Sequence, residues 1–257
     1  MAMGRPVPAQ RFQDLVDAAT AVFIAQGYRR TQMADVAAAM GVAKGTVYLS
    51  VASKEALFDV ALRHADAPRP LRAPSTLPVR APAPGRTIQY VRDRLAREPA
   101  SATLREALAR GRTSADGDEV GRILREIYDG MARNRTGIKL VDRCAADYPD
   151  LATLWFTQGR GVLLGDLTRY LEGGIRRGAF RRVADARVAA RVLIETLVFW
   201  AVHRHWDPAP QADDPRAAED TVIQMLIGAL LRGAEERPTG SGRAGGNTIR
   251  AGSEVTH

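Results

Sequence analysis

The sequence predicts an all-α protein, a small N-terminal helical domain followed by a larger one. Three observations carry that prediction. Apolar residues recur at helical spacing in nearly every segment, as in Phe12, Leu15, Val16, Ala19, Val22 and Phe23. Alternating strand patterns are absent. Between residues 31 and 48 a helix, a turn at Gly41 and a short second helix follow one another, the layout of a helix-turn-helix.

In chain order, residues 1–10 contain Pro6 and Pro8 and read as a flexible arm. Residues 11–26 form the first helix, which Gly27 is placed to end. Thr31 is a good N-cap for the second helix, which buries Val36, Ala37 and Met40. Gly41 makes the turn, and the third helix runs from residue 44 to about residue 50. Ser53 caps a fourth helix with Leu57, Phe58, Ala61 and Leu62 on its apolar face; Glu55 in its first turn suits the helix dipole. Residues 11–67 make up this head. Six prolines between Pro68 and Gly85 forbid a continuous helix, so residues 68–86 form a Pro/Arg-rich linker or an unusually long loop. Helical patterns then resume over 87–97, 102–110, 119–131 and near 137–146. A longer helix is expected from about 149 to 173, and two more over 185–205 and 217–234. The larger domain thus spans 87–236, and the Gly-rich polar tail, 237–257, reads as disordered.

The net charge of +8 over 257 residues is unevenly placed. Residues 68–113 hold ten arginines against three acids, whereas the segments on either side are close to neutral. Such an excess raises affinity for an anionic polymer by counterion release; the alternative is that arginine is simply preferred throughout this chain. Cys144 is the only cysteine, which rules out an internal disulfide and suits a reducing, cytoplasmic setting. The N-terminus has Arg5 but no apolar run after it, so no signal peptide is expected. The most apolar stretch, 192–202, is broken by Glu195 and too short to span a bilayer, so no membrane association is expected.

A helix-turn-helix places its second helix in the major groove of DNA. Here that helix would expose Lys44, Thr46 and Tyr48, with Gly45 removing bulk where it meets the groove. Lys44 is equally suited to a guanine edge and to a phosphate. Residues 11–63 resemble the DNA-binding domain of the TetR/AcrR family of bacterial transcriptional regulators. The resemblance rests on Phe23, Gly27-Tyr28 and Thr31, on Val36-Ala37 and Met40-Gly41-Val42, on Gly45-Thr46-Val47-Tyr48, and on Ser53-Lys54-Glu55-Ala56-Leu57-Phe58. It implies an N-terminal helix-turn-helix DNA-binding domain followed by a larger helical ligand-binding and dimerisation domain. It also implies that Thr31 and Lys54 contact phosphates while Lys44, Gly45, Thr46 and Tyr48 face DNA. Purely structural roles remain open, Thr31 and Ser53 as caps and Tyr48 as a core ring. Three positions depart from the family's pattern. Ala43 stands where a hydroxyl residue is common, Ser50 is short for a phosphate contact, and Val51 replaces a larger core residue. The basic segment 69–86 is a candidate for restoring phosphate affinity.

Such heads work in pairs, because two recognition helices must meet successive major grooves about 34–36 Å apart. The helices over 185–205 and 217–234 are apolar on more than one face, and a two-fold four-helix bundle would cover both; burial within one chain is the alternative. The resemblance further implies an effector pocket in the larger domain. Its candidate residues are Tyr128, Met131, Trp155, Phe156, Arg160, Tyr170, Phe199 and His203, each of which alone also reads as ordinary packing or, for Arg160, as a solvated surface charge. His203 and His205 lie two apart on a helix and face different directions, so no metal site is expected, nor any cofactor.

The expectation is a homodimeric repressor, released from a palindromic double-stranded DNA operator by a small lipophilic effector. A non-specific, charge-driven DNA binder is the first alternative. A helical enzyme is the second, although no catalytic motif is visible.

Overall fold

The computed structural model describes residues 9–97, 100–111, 117–209 and 214–231. The arm before residue 9 and the tail after residue 231 lie outside the described residues. Among the described residues there are twelve α-helices, no strands and two isolated bridges. No described helix is long and apolar enough to cross a membrane.

The first helix, α1 (Ala9–Gln26), packs along α4 (Lys54–His64), and both enclose α2 (Met33–Ala39) and α3 (Lys44–Tyr48). Phe12, Phe23, Phe58, Val36 and Val47 are buried between them. Ser53 caps α4 as its sequence predicts, its hydroxyl accepting the Ala56 N–H. Thr31 does not cap α2. Its hydroxyl donates to the Gly27 carbonyl at 2.7 Å, and Gln32 becomes the N-cap, with its own N–H accepted by Asp35 at 2.8 Å.

Residues 68–85 fold onto the head. Leu71 is buried there with its N–H on Gln13 Oε1, and Val79 makes a parallel bridge with Val51. The larger part follows with α5 (Arg86–Arg97), α6 (Ala102–Arg110), α7 (Gly117–Arg133) and α8 (Arg135–Ala145). Thr87 of α5 donates to Asp59 of α4 at 2.9 Å, tying the two helices across the loop. The expected long helix is broken in register. It comprises α9 (Pro149–Ala152), a π-helical stretch (Thr153–Gly159) and α10 (Arg160–Arg176). A wide turn of this kind shifts the side-chain faces relative to an uninterrupted α-helix. The last elements are α11 (Ala186–Ala201), a 3₁₀ turn (His203–Trp206) and α12 (Pro215–Leu230).

Two apolar cores result. One gathers α6, α7, α10, α11 and α12. The other, the head's core, extends past residue 67 to Ile88 and Val91 of α5, Leu140, Val141, Cys144 and Ala145 of α8, Leu151 of α9 and Leu154. Within the chain, α12 buries Val222, Ile223, Leu226 and Leu230 and packs on α7 and α11, leaving Met225 exposed. By contrast α11 leaves Val188, Val192 and Phe199 in the open.

Candidate functional site

The turn before α3 depends on Gly41, whose φ of +64° lies in the left-handed region that glycine occupies without strain. Ala43 then occupies the N-cap with no side-chain hydrogen bond, in keeping with its missing hydroxyl. Val47 anchors the five-residue α3 in the core. Lys44, Gly45 and Tyr48 are exposed, Thr46 is half-buried, and Leu49 just beyond is 63% exposed. This short helix therefore presents a cation, a phenol hydroxyl and an apolar tip on one outer surface. Such a set can contact phosphates and thymine methyls alike.

Two other candidates are more occupied than their sequence suggests. Thr31 is 1% exposed, with its hydroxyl held by Gly27. The Lys54 ammonium donates to the carbonyls of Tyr28 and Arg29 at 3.2 and 3.3 Å and sits 4.7 Å from the Tyr28 ring centroid. It thus closes the C-terminal end of α1 as well as facing outward at the start of α4. Tyr28 is held in turn by the rings of Phe23, Phe58 and Tyr148. Burial first, then the nearby Glu55 carboxylate, pushes its phenol up to about 12. Ser50 is buried and its carbonyl accepts the Val79 N–H.

A cavity of about 660 Å³ lies where α4, α5, α7, α8, the π stretch, α10 and α11 meet. Its wall is mostly apolar, and its polar points include Asp66, Arg94, Asn134, Asp142, Arg160 and His203. Of the eight expected pocket residues, Met131, Trp155, Arg160 and His203 line it. The other four lie outside its walls. Tyr128 belongs to the second core, its hydroxyl reaching the Trp200 carbonyl at 3.5 Å. Phe156 is 47% exposed, whereas its neighbour Trp155 lines the cavity. Tyr170 is buried beside Phe180 and donates to Glu119 at 3.0 Å. Phe199 stands edge-on to Trp200 on the outer face of α11. Arg160 is already paired with Glu195 at 2.5 Å and Asp142 at 3.7 Å.

Burial and then Lys139 depress the His203 imidazole, while burial and then Arg135 do the same to His205. The two rings meet different cations, and no cluster of metal-ligating side chains occurs among the described residues. Cys144 is fully buried against the Phe23 carbonyl, and burial raises its thiol to about 12, the state of an inert packing residue.

Residues 15–61 match the profile of bacterial regulatory proteins of the tetR family. Over these residues the head is similar to the DNA-binding domain of that family. No protein of curated function matches the chain in sequence. Among solved structures it is similar to the ketosteroid transcriptional regulator KstR2 of Mycobacterium tuberculosis, at 17% identity and a TM-score of 0.53, covering 87% of this chain and 96% of that one. A TetR-like transcriptional regulator from Rhodococcus sp. RHA1 is also similar, at 16% identity and a TM-score of 0.44, covering 86% and 96%. At these identities the likeness concerns the fold. The chain is all-helical, with a helix-turn-helix near the N-terminus that matches the tetR-family profile and a fold similar to that of KstR2.

Two carboxylates that sequence reasoning missed join the N-terminal head to the larger part, one at each end of α8. Asp66, two residues past α4, accepts the backbone N–H groups of Thr136 and Gly137 at 2.9 and 3.0 Å, in the first turn of α8. It also pairs with Arg94 at 3.4 Å, and Arg94 in turn donates to Asn134. Burial pushes the Asp66 carboxyl above the usual carboxylate range, against the pull of these donors. At the other end of α8, Asp147 accepts the Arg29 N–H at 3.0 Å, just past the end of α1. Gly27 makes that approach possible. Its φ is +82°, and a Cβ there would stand 2.6 Å from Asp147 Oδ2. Between the two attachments, Gly137, Ile138, Val141 and Asp142 of α8 form part of the cavity wall.

Proposed function

We propose that this protein is a ligand-responsive transcriptional repressor that binds a palindromic DNA operator as a homodimer and leaves it when a small lipophilic effector fills the cavity. The observation that carries this reading is the position of α8, which is a wall of the cavity along its length and is fastened to the N-terminal head at both ends. An occupant that displaces α8 must move α1 and α4, and hence α3. The coupling is thermodynamic: the effector acts to the extent that it binds the DNA-incompetent arrangement better.

Lys44, Gly45, Thr46 and Tyr48 are assigned to the DNA surface, with Lys54 beside them at the start of α4. Thr31 is assigned a supporting role, since its hydroxyl is engaged within the head. Met131, Trp155, Arg160 and His203 are assigned to the effector site. A second copy is assigned to the outer face of α11, where Val188, Val192 and Phe199 recur at helical spacing and stay uncovered in the single chain.

The test is selection of random duplex DNA by the purified protein. Recovery of a palindrome whose half-sites sit about one helical turn apart supports the two-headed reading. Recovery of sequence-independent binding with a steep salt dependence would replace it with a charge-driven DNA binder.

A further inference from the structure

Resting on the DNA-binding reading, we propose that the 68–85 loop is an additional DNA-backbone arm whose phosphate-binding residue is Arg80. The loop is fastened to the head at two places. Near its start, Leu71 is buried with its N–H on Gln13, and Arg69 pairs with Asp17 at 2.5 Å. Near its end, Val79 inserts alongside the segment joining α3 to α4. The Val79 N–H donates to the Ser50 carbonyl at 2.8 Å, and the Ala52 N–H donates to the Val79 carbonyl at 2.8 Å. Both bonds lie directly between the recognition helix and the first turn of α4.

This pairing fixes where Arg80 stands. In a parallel bridge centred on Val51 and Val79, the next residues, Ala52 and Arg80, leave the bridge in the same direction. Ala52 is followed by Ser53, the cap of α4, and then by Lys54. Successive side chains of an extended segment point to opposite sides. Val79 packs against the head's core, so Arg80 faces outward, and it is exposed. Among the described residues it has no ion-pair partner, whereas Arg69 has Asp17.

The surrounding residues fill this role only in part. Ser50 is buried beneath the bridge, and the Lys54 ammonium is divided between two carbonyls and the Tyr28 ring. A guanidinium beside the start of α4 supplies the missing charge, and its planar fork suits a phosphate bidentately. The contact is to the backbone, so it adds affinity without sequence preference.

The experiment measures binding of the full chain to the selected duplex and to a mixed-sequence duplex by fluorescence anisotropy, from about 50 to about 200 mM salt. Arg80→Ala and Arg80→Gln are each expected to lower the slope of log K against log salt by about 0.9 per bound head, equally on both duplexes, and Arg80→Lys to restore it. Thermal melting of the variants verifies folding, and an exposed side chain without a partner predicts no change there. A slope unchanged in both charge-removing variants overturns the inference while leaving the DNA reading intact. A wild-type protein that binds neither duplex overturns the reading itself and this inference with it.

Discussion

Asp66 accepts the Thr136 backbone N–H at 2.9 Å across seventy residues of chain, joining the end of the head's last helix to the first turn of α8. The carboxylate is nearly fully buried and also holds Gly137 and Arg94. Asp66→Asn keeps the shape but replaces an acceptor-only group by an amide, which cannot serve the same donors equally well. The expected cost is about 1–3 kcal/mol, read as a lower midpoint of chemical unfolding. The same variant should bind DNA with a weakened response to effector, since one of the two attachments of α8 is loosened. An unchanged midpoint would mean that the contact contributes nothing to the junction.

Gly27→Ala tests the other attachment. The substitution forces a left-handed backbone on alanine and drives its methyl into Asp147, at 2.6 Å. Strain of this kind costs about 1–3 kcal/mol, so the unfolding midpoint should fall. A variant as stable as the wild type would show that Asp147 can withdraw from Arg29 at no cost.

Three imidazoles give the fold a defined pH dependence. His64, His203 and His205 are all held below 6.5, burial being the largest cause in each, with neighbouring cations adding to it. The native state therefore binds fewer protons at these sites than the unfolded chain does. Their contribution is complete above pH 6.5 and is lost as pH falls through the folded values. Asp66 and Glu219, both raised by burial, act in the opposite sense at lower pH. Melting temperature should accordingly decline on acidification from neutrality, and replacing the three histidines by glutamine should flatten that decline. A parallel decline in the substituted protein would refute the assignment.

The α11 face yields a prediction about assembly. Val192→Glu places a charge at a residue 55% exposed in the single chain, so folding of one protomer should be little affected. At a two-fold interface the charge faces its own copy, and the mass measured by light scattering should fall to that of a monomer, with much weaker operator binding. A wild-type protein that is already monomeric would contradict the proposed interface.

Buried Glu119 tests the second core. It accepts the Tyr170 hydroxyl at 3.0 Å and pairs with Arg110. Glu119→Ala should destabilise by about 1–3 kcal/mol, because the buried Tyr170 hydroxyl loses this acceptor while Arg110 keeps access to water. Loss of less than a tenth of the unfolding free energy would indicate that another acceptor takes over.

What the sequence made legible was local. Helical spacing located α1, α4 and α11, Ser53 announced the start of α4, and Gly41 marked the turn before α3. Those signals act within a few residues and need no partner. The junction was not legible because Asp147 and Arg29 are separated by 118 positions, and no local pattern distinguishes a junction carboxylate from a solvated one. The pocket residues divided for a related reason. Trp155 and Phe156 are adjacent and cannot share one face of a helix, and nothing local says which of the two meets the cavity. The role of Val51 was hidden in the same way, because the residue that covers it, Val79, lies in a proline-rich loop with no periodicity of its own.

The head's core reaches into α5, α8, α9 and Leu154. Cutting the chain at residue 67 would strip Phe23 and Phe58 of Cys144, Leu151 and Tyr148 and leave an apolar wound on both fragments. This head is consequently not a cassette. Grafting residues 1–67 onto a foreign body to rewire its response would fail unless α8 and α9 travelled with it. The interchangeable module is a discontinuous one, defined by who packs on whom and not by where the chain order changes.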